Sequence, residues 1–372
     1  MKPATDKPHF RKRPLYREIA STIRSQISAG TLAPGTRLPS TVDLAKEWES
    51  NYFTVHTALS CLVKEGFLAR LHGRGTYVAD FKSRFTCAGI YYGEDIWLNE
   101  ESAFYRSLHS ALQSRFARLD KKTLIFVDSR PPHKQKKALP SLAEAVRQRE
   151  IQCLICPLHN KWEFPALSNF SLPTAFFTGE TPNRVLYQPQ LFIEEGLRRL
   201  AAQGCHSVGL ISNISPDENE VGRPFYESFY QGSKAEGMII RKNWIYAPPA
   251  STPQIAEYGY DSFRKLWSLP EKPEGLIVCY DSVMRGVITA ILEARVRVPE
   301  QLKIVSHRNS HVNLLCPFPV TWGATSEDFI AEAMIRQIEL QFKGEKTAPI
   351  PVPFTFEDPA EVVRMFRSPT TS

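Results

Sequence analysis

Residues 35–78, GTRLPSTVDLAKEWESNYFTVHTALSCLVKEGFLARLHGRGTYV, decide how this chain is read. Ser40 is placed to cap a helix, and Asp43 three residues later completes an S-x-x-D capping box. The helix that follows carries Leu44, Ala45 and Trp48 as its inward set. Glu49-Ser50-Asn51 makes a short polar turn. A second helix brings Val55, Ala58, Leu59 and Leu62 onto one face. Gly66 stands where helices commonly end. Two short strands, 67–71 and 76–78, flank the turn His72-Gly73-Arg74-Gly75. The pattern predicts a helix-turn-helix with a β-wing. Such a unit sets its second helix in the DNA major groove and its wing in a flanking groove.

Upstream, Pro14 opens a helix in which Leu15, Ile19, Ile23 and Ile27 recur every four residues, a core-facing stripe that ends at Gly30. Residues 1–13 read as a basic arm that either touches phosphates or has no role. Residues 1–80 hold 12 Lys and Arg against 7 Asp and Glu, while the remainder holds 34 against 32. Most of the surplus charge thus sits on the smaller unit, as a phosphate-binding module requires.

Five ordered motifs now carry a resemblance. They are Pro14-Leu15-Tyr16, Gly35-x-Arg37-Leu38-Pro39-Ser40, Thr54-Val55-x-x-Ala58-Leu59, Glu65-Gly66-x-Leu68 and Gly73-Arg74-Gly75-Thr76-Tyr77-Val78. Together they resemble the winged-helix domain of GntR-type bacterial transcription regulators. That resemblance implies DNA contacts from Arg37, Ser40, Thr41, Asn51, Tyr52, Thr54, His56, Thr57, His72, Gly73 and Arg74. The chain departs from the family in its second helix. The family usually reads G-V-S-R-T-T-V-R-R-A-L there, and this chain reads E-S-N-Y-F-T-V-H-T-A-L. Tyr52 and His56 replace two arginines that would contact guanine. Tyr52 and Phe53 are then available to thymine methyls, or Phe53 packs inward.

The polar stretch 79–86 holds the linker, placed at 81–86. The domains are then 1–80 and 87–372. Beyond it, apolar runs (87–92, 123–128, 153–156, 174–177, 207–211, 276–279, 303–306) alternate with helical patterns near 102–118, 140–149, 190–203, 223–236, 254–267, 281–294 and 326–342. Such alternation makes parallel sheets covered by helices. The length suits two lobes whose strand C-termini face a shared cleft. The expected class is α/β: a winged helix-turn-helix followed by a two-lobed, periplasmic-binding-protein-like domain with parallel sheets.

This second region resembles the sugar-sensing domain of LacI-type repressors. The matching pieces are Leu200-x-x-x-Gly204-x-x-x-Val208-x-Leu210-Ile211, Arg223-x-x-x-x-Ser228-Phe229, Asp281-Ser282-x-Met284-x-Gly286 and Val298-Pro299-Glu300-x-Leu302-x-Ile304-Val305. A GntR-like head on such a body is similar to the arabinose-repressor type. The resemblance implies effector contacts from Arg223, Tyr280, Asp281 and Arg308. Tyr91, Tyr92, Trp97, Phe104 and Trp322 are candidate stacking faces for a sugar ring. Tyr280 stands where the family usually has Asn, Arg308 near its usual Asp, and Gln188-Pro189 where it has Asp-Asn. Two arginines in the cleft favour an anionic ligand. Alternatively Arg308 faces solvent or pairs with a carboxylate, and the cleft is degenerate.

Composition narrows the remaining classes. The chain is 42% apolar and 23% charged, which argues against disorder. No apolar run approaches the ~18 residues of a membrane span, and the N-terminus lacks a secretory apolar core. Seven cysteines, an odd number, suggest reduced thiols in a cytoplasm. Cys153-x-x-Cys156 lies in an apolar strand with no second ligand pair, so no metal is expected. No P-loop, H-E-x-x-H, Gly-x-Ser-x-Gly elbow or lysine Schiff-base context is found, so neither an enzyme nor a cofactor is expected. The expected partners are double-stranded DNA with a palindromic site, a small-molecule effector and a second copy of the chain. The alternative is non-specific DNA binding by the winged head.

Overall fold

The computed structural model describes residues 15–28, 31–64, 66–79, 85–98, 102–216, 221–248, 254–357 and 359. The basic arm, most of the linker and the C-terminal residues from 360 lie outside them.

The first unit comprises α1 (Leu15–Ser28), α2 (Thr41–Glu47), α3 (Tyr52–Lys64), β1 (Leu68–Leu71) and β2 (Gly75–Val78). Its core gathers Ile19, Ile23 and Ile27 of α1 with Leu44, Val55, Ala58, Leu59 and Leu62 of the helix pair and Leu68 and Val78 of the wing. The four-residue stripe therefore works as expected from Ile19 onward. Leu15, its first member, is instead 42% exposed, and Trp48 is only half-buried at the end of α2. The wing strands pair antiparallel with Leu68 opposite Val78 and Leu71 opposite Gly75. Residues 35–38 add a third line to the ribbon, since Leu38 N donates to Thr76 O at 2.9 Å and Val78 N to Thr36 O at 2.8 Å.

The second unit begins with β3 (Cys87–Tyr92), α4 (Ala103–Arg118), β4 (Lys122–Val127), α5 (Pro132–Gln135), α6 (Pro140–Arg147), β5 (Cys153–Leu158), α7 (Phe164–Ser168), β6 (Thr174–Phe177) and β7 (Arg184–Leu186). It continues with α8 (Pro189–Ala202), β8 (Val208–Ser212), α9 (Gly222–Ala235), β9 (Ile245–Tyr246), α10 (Ile255–Ser268), β10 (Gly275–Cys279), α11 (Asp281–Glu293), β11 (Lys303–Asn309) and β12 (Thr321–Thr325). It closes with α12 (Glu327–Lys343), β13 (Ile350–Pro351) and β14 (Thr355–Glu357). The strands form two sheets, ordered β13-β7-β6-β5-β3-β4 and β14-β12-β11-β10-β8-β9. Among the described residues every pairing within these two sheets is parallel except β12 with β14. Strands β7, β9, β13 and β14 are two or three residues long. Too short for a periodic signal, they left no trace in the sequence pattern.

Among the described residues the chain passes between the lobes three times: from β7 into α8, from β12 into α12, and from β13 into β14. Helix α12 follows a strand of the second sheet yet packs on the first lobe. Ile330, Ala331, Met334, Ile338 and Phe342 share a core there with Ala88, Ile90, Leu108 and Leu112. Phe85 and Thr86, expected in the linker, belong to this lobe as well. Phe85 is 1% exposed and stacks on Phe342 with centroids 5.6 Å apart, and Thr86 N donates to Gln152 Oε1 at 2.9 Å. In the second lobe, Gly286 lets α11 lie against α10, because a Cβ there would meet Ala256 O at 1.8 Å.

Candidate nucleic-acid interface and ligand cleft

The exposed face of the winged unit is built around the first turns of α3. Asn51 Oδ1 accepts from Thr54 N at 2.8 Å and Thr54 Oγ1 at 3.0 Å, so Asn51 caps the helix. Tyr52 is 47% exposed and its ring stacks on His56, 5.8 Å away at 20°. Phe53 does not pack inward: it is 79% exposed and meets the Tyr52 ring at 89°. Thr57 Oγ1 donates to Phe53 O at 2.8 Å. His56 Nε2 lies 3.2 Å from Arg70 Nη1. A guanidinium only donates, so that nitrogen accepts. Arg70, on β1, was not among the sequence candidates; the only available signal was a cation one residue inside the wing strand.

Ser40 caps α2, but not through the reciprocal box. Its Oγ accepts from Asp43 N at 3.2 Å, while its own proton goes to Asp43 Oδ2 at 2.6 Å. The carboxylate is thereby taken up by the hydroxyl. At the wing, Gly73 has φ +70° and Arg74 N donates to Leu71 O at 2.9 Å. His72, Gly73 and Arg74 are exposed. Arg37 bridges to Tyr77 and runs across Gly75, where a Cβ would meet Arg37 Nε at 3.1 Å. A groove of about 590 Å³ lies between Arg37, Ser40, Thr41, Asp43 and Thr76. The structure thus brings the α3 candidates together on one face, and Arg37 beside Ser40 and Thr41 at the wing.

The effector candidates divide into three places. Tyr92 is fully buried; its hydroxyl lies 2.9 Å from His109 Nδ1. Trp97, 47% exposed beyond the end of β3, sets its ring edge-on to Tyr92 and His109. Phe104 begins a chain of rings that crosses between the lobes, through Phe177 (5.5 Å), Tyr187 (6.4 Å) and Tyr280 (6.1 Å). Tyr280, just after β10, has φ 75°, ψ 155°, a region normally left to glycine. His307 closes that cluster against Tyr187, Phe192, Tyr280 and Phe354. Burial pushes its pKa down to about 4, partly opposed by the charge of Asp281, so the ring is neutral near pH 7.

Asp281 is 8% exposed, and its Oδ2 accepts from Asn309 N at 3.1 Å and Asn309 Nδ2 at 3.0 Å. Thr325 Oγ1 joins Asn309 Oδ1 at 3.0 Å to His307 Nε2 at 3.1 Å. Arg308 and Trp322 sit together elsewhere. Arg308 Nη2 donates to Glu357 Oε2 at 2.5 Å and its guanidinium lies over the Trp322 ring, 5.6 Å from the centroid. Trp322 is 7% exposed within the second lobe's core. Arg308 is therefore paired with a carboxylate on β14, a strand that sequence reading did not find. Arg223 is exposed in the first turn of α9.

The first lobe holds a polar cluster that sequence reasoning missed. Arg130 donates twice to Asp128, at 2.7 and 2.6 Å, and Tyr91 Oη donates to Asp128 Oδ2 at 3.1 Å. Burial works to raise the Asp128 pKa, and the Arg130 bonds outweigh it, leaving it below the usual carboxylate value. Burial raises the pKa of nearby Glu163, whose Oε2 accepts from Asn160 N at 2.7 Å. Gln135 ties the cluster to Gly93 O and Asp128 O at 2.8 and 2.7 Å. Among the described residues, no group of three or more His, Cys, Asp or Glu could hold a metal, and no helix is long and apolar enough to cross a membrane.

Comparison with known proteins divides along the same line. Residues 15–78 match bacterial regulatory proteins of the gntR family, and residues 197–356 match the periplasmic binding protein-like domain. The HTH-type transcriptional repressor NagR of Bacillus subtilis (strain 168) is 40% identical over 77 residues, 21% of this chain and 32% of NagR. The mannosyl-D-glycerate transport/metabolism system repressor MngR of Escherichia coli (strain K12) is 44% identical over 68 residues, 18% of this chain and 28% of MngR. The chain thus spans about a third of the length of these relatives. A LacI family transcription regulator from Clostridium acetobutylicum superposes with TM-score 0.57 at 18% identity, over 73% of this chain and 98% of its own. The chain thus joins a winged helix-turn-helix that matches the gntR family to a region that matches the periplasmic binding protein-like domain and shares the fold of a LacI family regulator.

Proposed function

We propose that this protein is a sequence-specific DNA-binding transcription regulator, a repressor, controlled by a small molecule held between its two lobes. The observation that carries the reading is the exposed α3 face beside an arginine-bearing wing, on a domain 40% and 44% identical to those of two named repressors. Residues 1–80 bind DNA, residues 87–372 bind the effector and a second copy, and the protein acts in the cytoplasm without catalysing a reaction. Arg37, Arg70 and Arg74 reach phosphates, while Tyr52, Phe53, His56 and Thr57 face the bases. Exposed Leu124 and Ile125 on β4, an edge strand, support pairing of two copies. A dimer presents two α3 helices to a palindromic site.

The effector is a carbohydrate or a carbohydrate derivative. Trp97 and Tyr280 stand beyond strand C-termini, where parallel sheets bind ligands. With Arg308 held by Glu357, the charge argument for an anionic effector rests on Arg223 alone. The effector works through its differential affinity for open and closed lobe arrangements. Selection of duplexes from a random pool, at near-physiological salt, tests the proposal. An enriched inverted repeat, released or tightened by a metabolite, is expected. Salt-sensitive binding to every duplex alike would sink the claim of sequence reading.

A further inference from the structure

We propose that α3 recognises thymine through its 5-methyl group, and that Phe53 is the residue that detects it. This rests on the DNA-binding reading above and gives that site its base preference.

Several polar groups at the head of α3 already have partners. Asn51 Oδ1 holds Thr54 N and Thr54 Oγ1, Thr57 Oγ1 holds Phe53 O, and His56 Nε2 faces Arg70. No Arg or Lys occurs among residues 51–57. The paired donors that distinguish guanine are therefore missing from the part of the helix that meets base edges. What this turn offers instead is apolar. Phe53, at 79%, is the most exposed large hydrophobic side chain among the described residues of the winged unit. Tyr52 lies flat on His56 and turns an edge to Phe53, so the three rings form a ridge with Phe53 outermost.

Such a ridge needs an apolar partner inside an otherwise polar groove. Thymine alone among the four bases carries a methyl group on its major-groove edge. Attraction to the duplex comes from elsewhere: Arg37, Arg70 and Arg74 stand on the ribbon beside α3 and supply charge that phosphates accept regardless of sequence. The division leaves Phe53 to discriminate and the arginines to hold.

The test uses the full-length protein and the duplex it selects from a random pool. Each dT of the half-site is replaced by dU, which removes only the methyl group. At one or two positions dU should weaken binding about fourfold, the loss expected for one methyl returned to water. Phe53→Ala should bind the dT and dU duplexes equally, and Phe53→Leu should keep part of the difference. Circular dichroism melting checks that both variants are folded. Specific binding unaffected by dU at every position overturns this inference and leaves the DNA-binding reading standing. A half-site without thymine does the same, as does a dT preference that survives in Phe53→Ala. Failure to select any duplex overturns both.

Discussion

On the winged unit the candidate recognition side chains stand in solvent, with Phe53 79% and Tyr52 47% exposed. In the two-lobed unit four of the nine candidates are buried, with Tyr92 at 0%, Tyr91 at 1%, Trp322 at 7% and Asp281 at 8%, and three more are half-buried. Under the proposed function, the difference follows from the partners the two regions would meet. A duplex is large and rigid, so the surface that reads it must project before contact, supported by a separate core of Ile19, Val55, Leu59 and Leu62. A cleft between lobes is shaped by the ends of strands. Polar groups there are withdrawn from water and must bond one another. Asp281 with Asn309, and Asp128 with Arg130, therefore hold the strand ends in register before they could serve a ligand.

The contrast can be broken by stability measurements. The largest effect concerns His307, whose pKa falls from about 6.5 in an unfolded chain to about 4 when buried. Between those values the unfolded chain takes up a proton that the native chain refuses. Stability should therefore fall as pH falls through that window, by on the order of 3 kcal/mol for this group when complete. Urea midpoints at pH 7 and 4.5 should converge in His307→Gln relative to the parent protein. An identical pH dependence in both would place His307 in a wetter setting than its five aromatic and hydroxyl neighbours allow.

Next in size is Asp281→Ala, which leaves two donors of Asn309 without their acceptor. It should lower unfolding free energy by about 2 kcal/mol while leaving the DNA affinity of the folded protein unchanged. A variant as stable as the parent would mean the carboxylate is available to a ligand, and the contrast between the two regions would blur. In the head, Arg37→Ala and Arg74→Ala should each weaken DNA binding by about 1 kcal/mol and flatten the log affinity against log salt slope by about 1. Titrations at several salt concentrations measure both, and no change in either variant would remove the wing from the interface. The smallest effect is on the stability of Phe53→Ala, expected within about 0.5 kcal/mol of the parent. A larger shift in the melting curve would show that Phe53 packs in the native protein, as the inward reading had it.

Much of the fold was legible in the chain's local patterns. The Ile19–Ile23–Ile27 stripe, the Ser40 cap and the glycines at 73 and 75 act within a few residues of themselves, so helix, cap and turn could be named from spacing. The long helices of the second unit were placed within a residue or two for the same reason, since an amphipathic face repeats over several turns. The parallel sheets followed from the alternation of runs and helices and the two lobes from the length of that region, both of which sequence order alone displays.

Tertiary structure decided where side chains of similar sequence character ended up. Phe53 and Val55 are both apolar residues of one helix, yet one is 79% and the other 0% exposed, because only a packed α1 and α2 define the inner face. Arg308 looked like a ligand's counter-charge until β14, three residues long and antiparallel, delivered Glu357 to it from 49 positions away. Asp128 and Arg130 are near neighbours, but Gln135 and Glu163 join them only across loops. Periodicity records which face of an element is apolar. It carries no record of which distant element will cover that face, and pairing between distant residues depends on that choice.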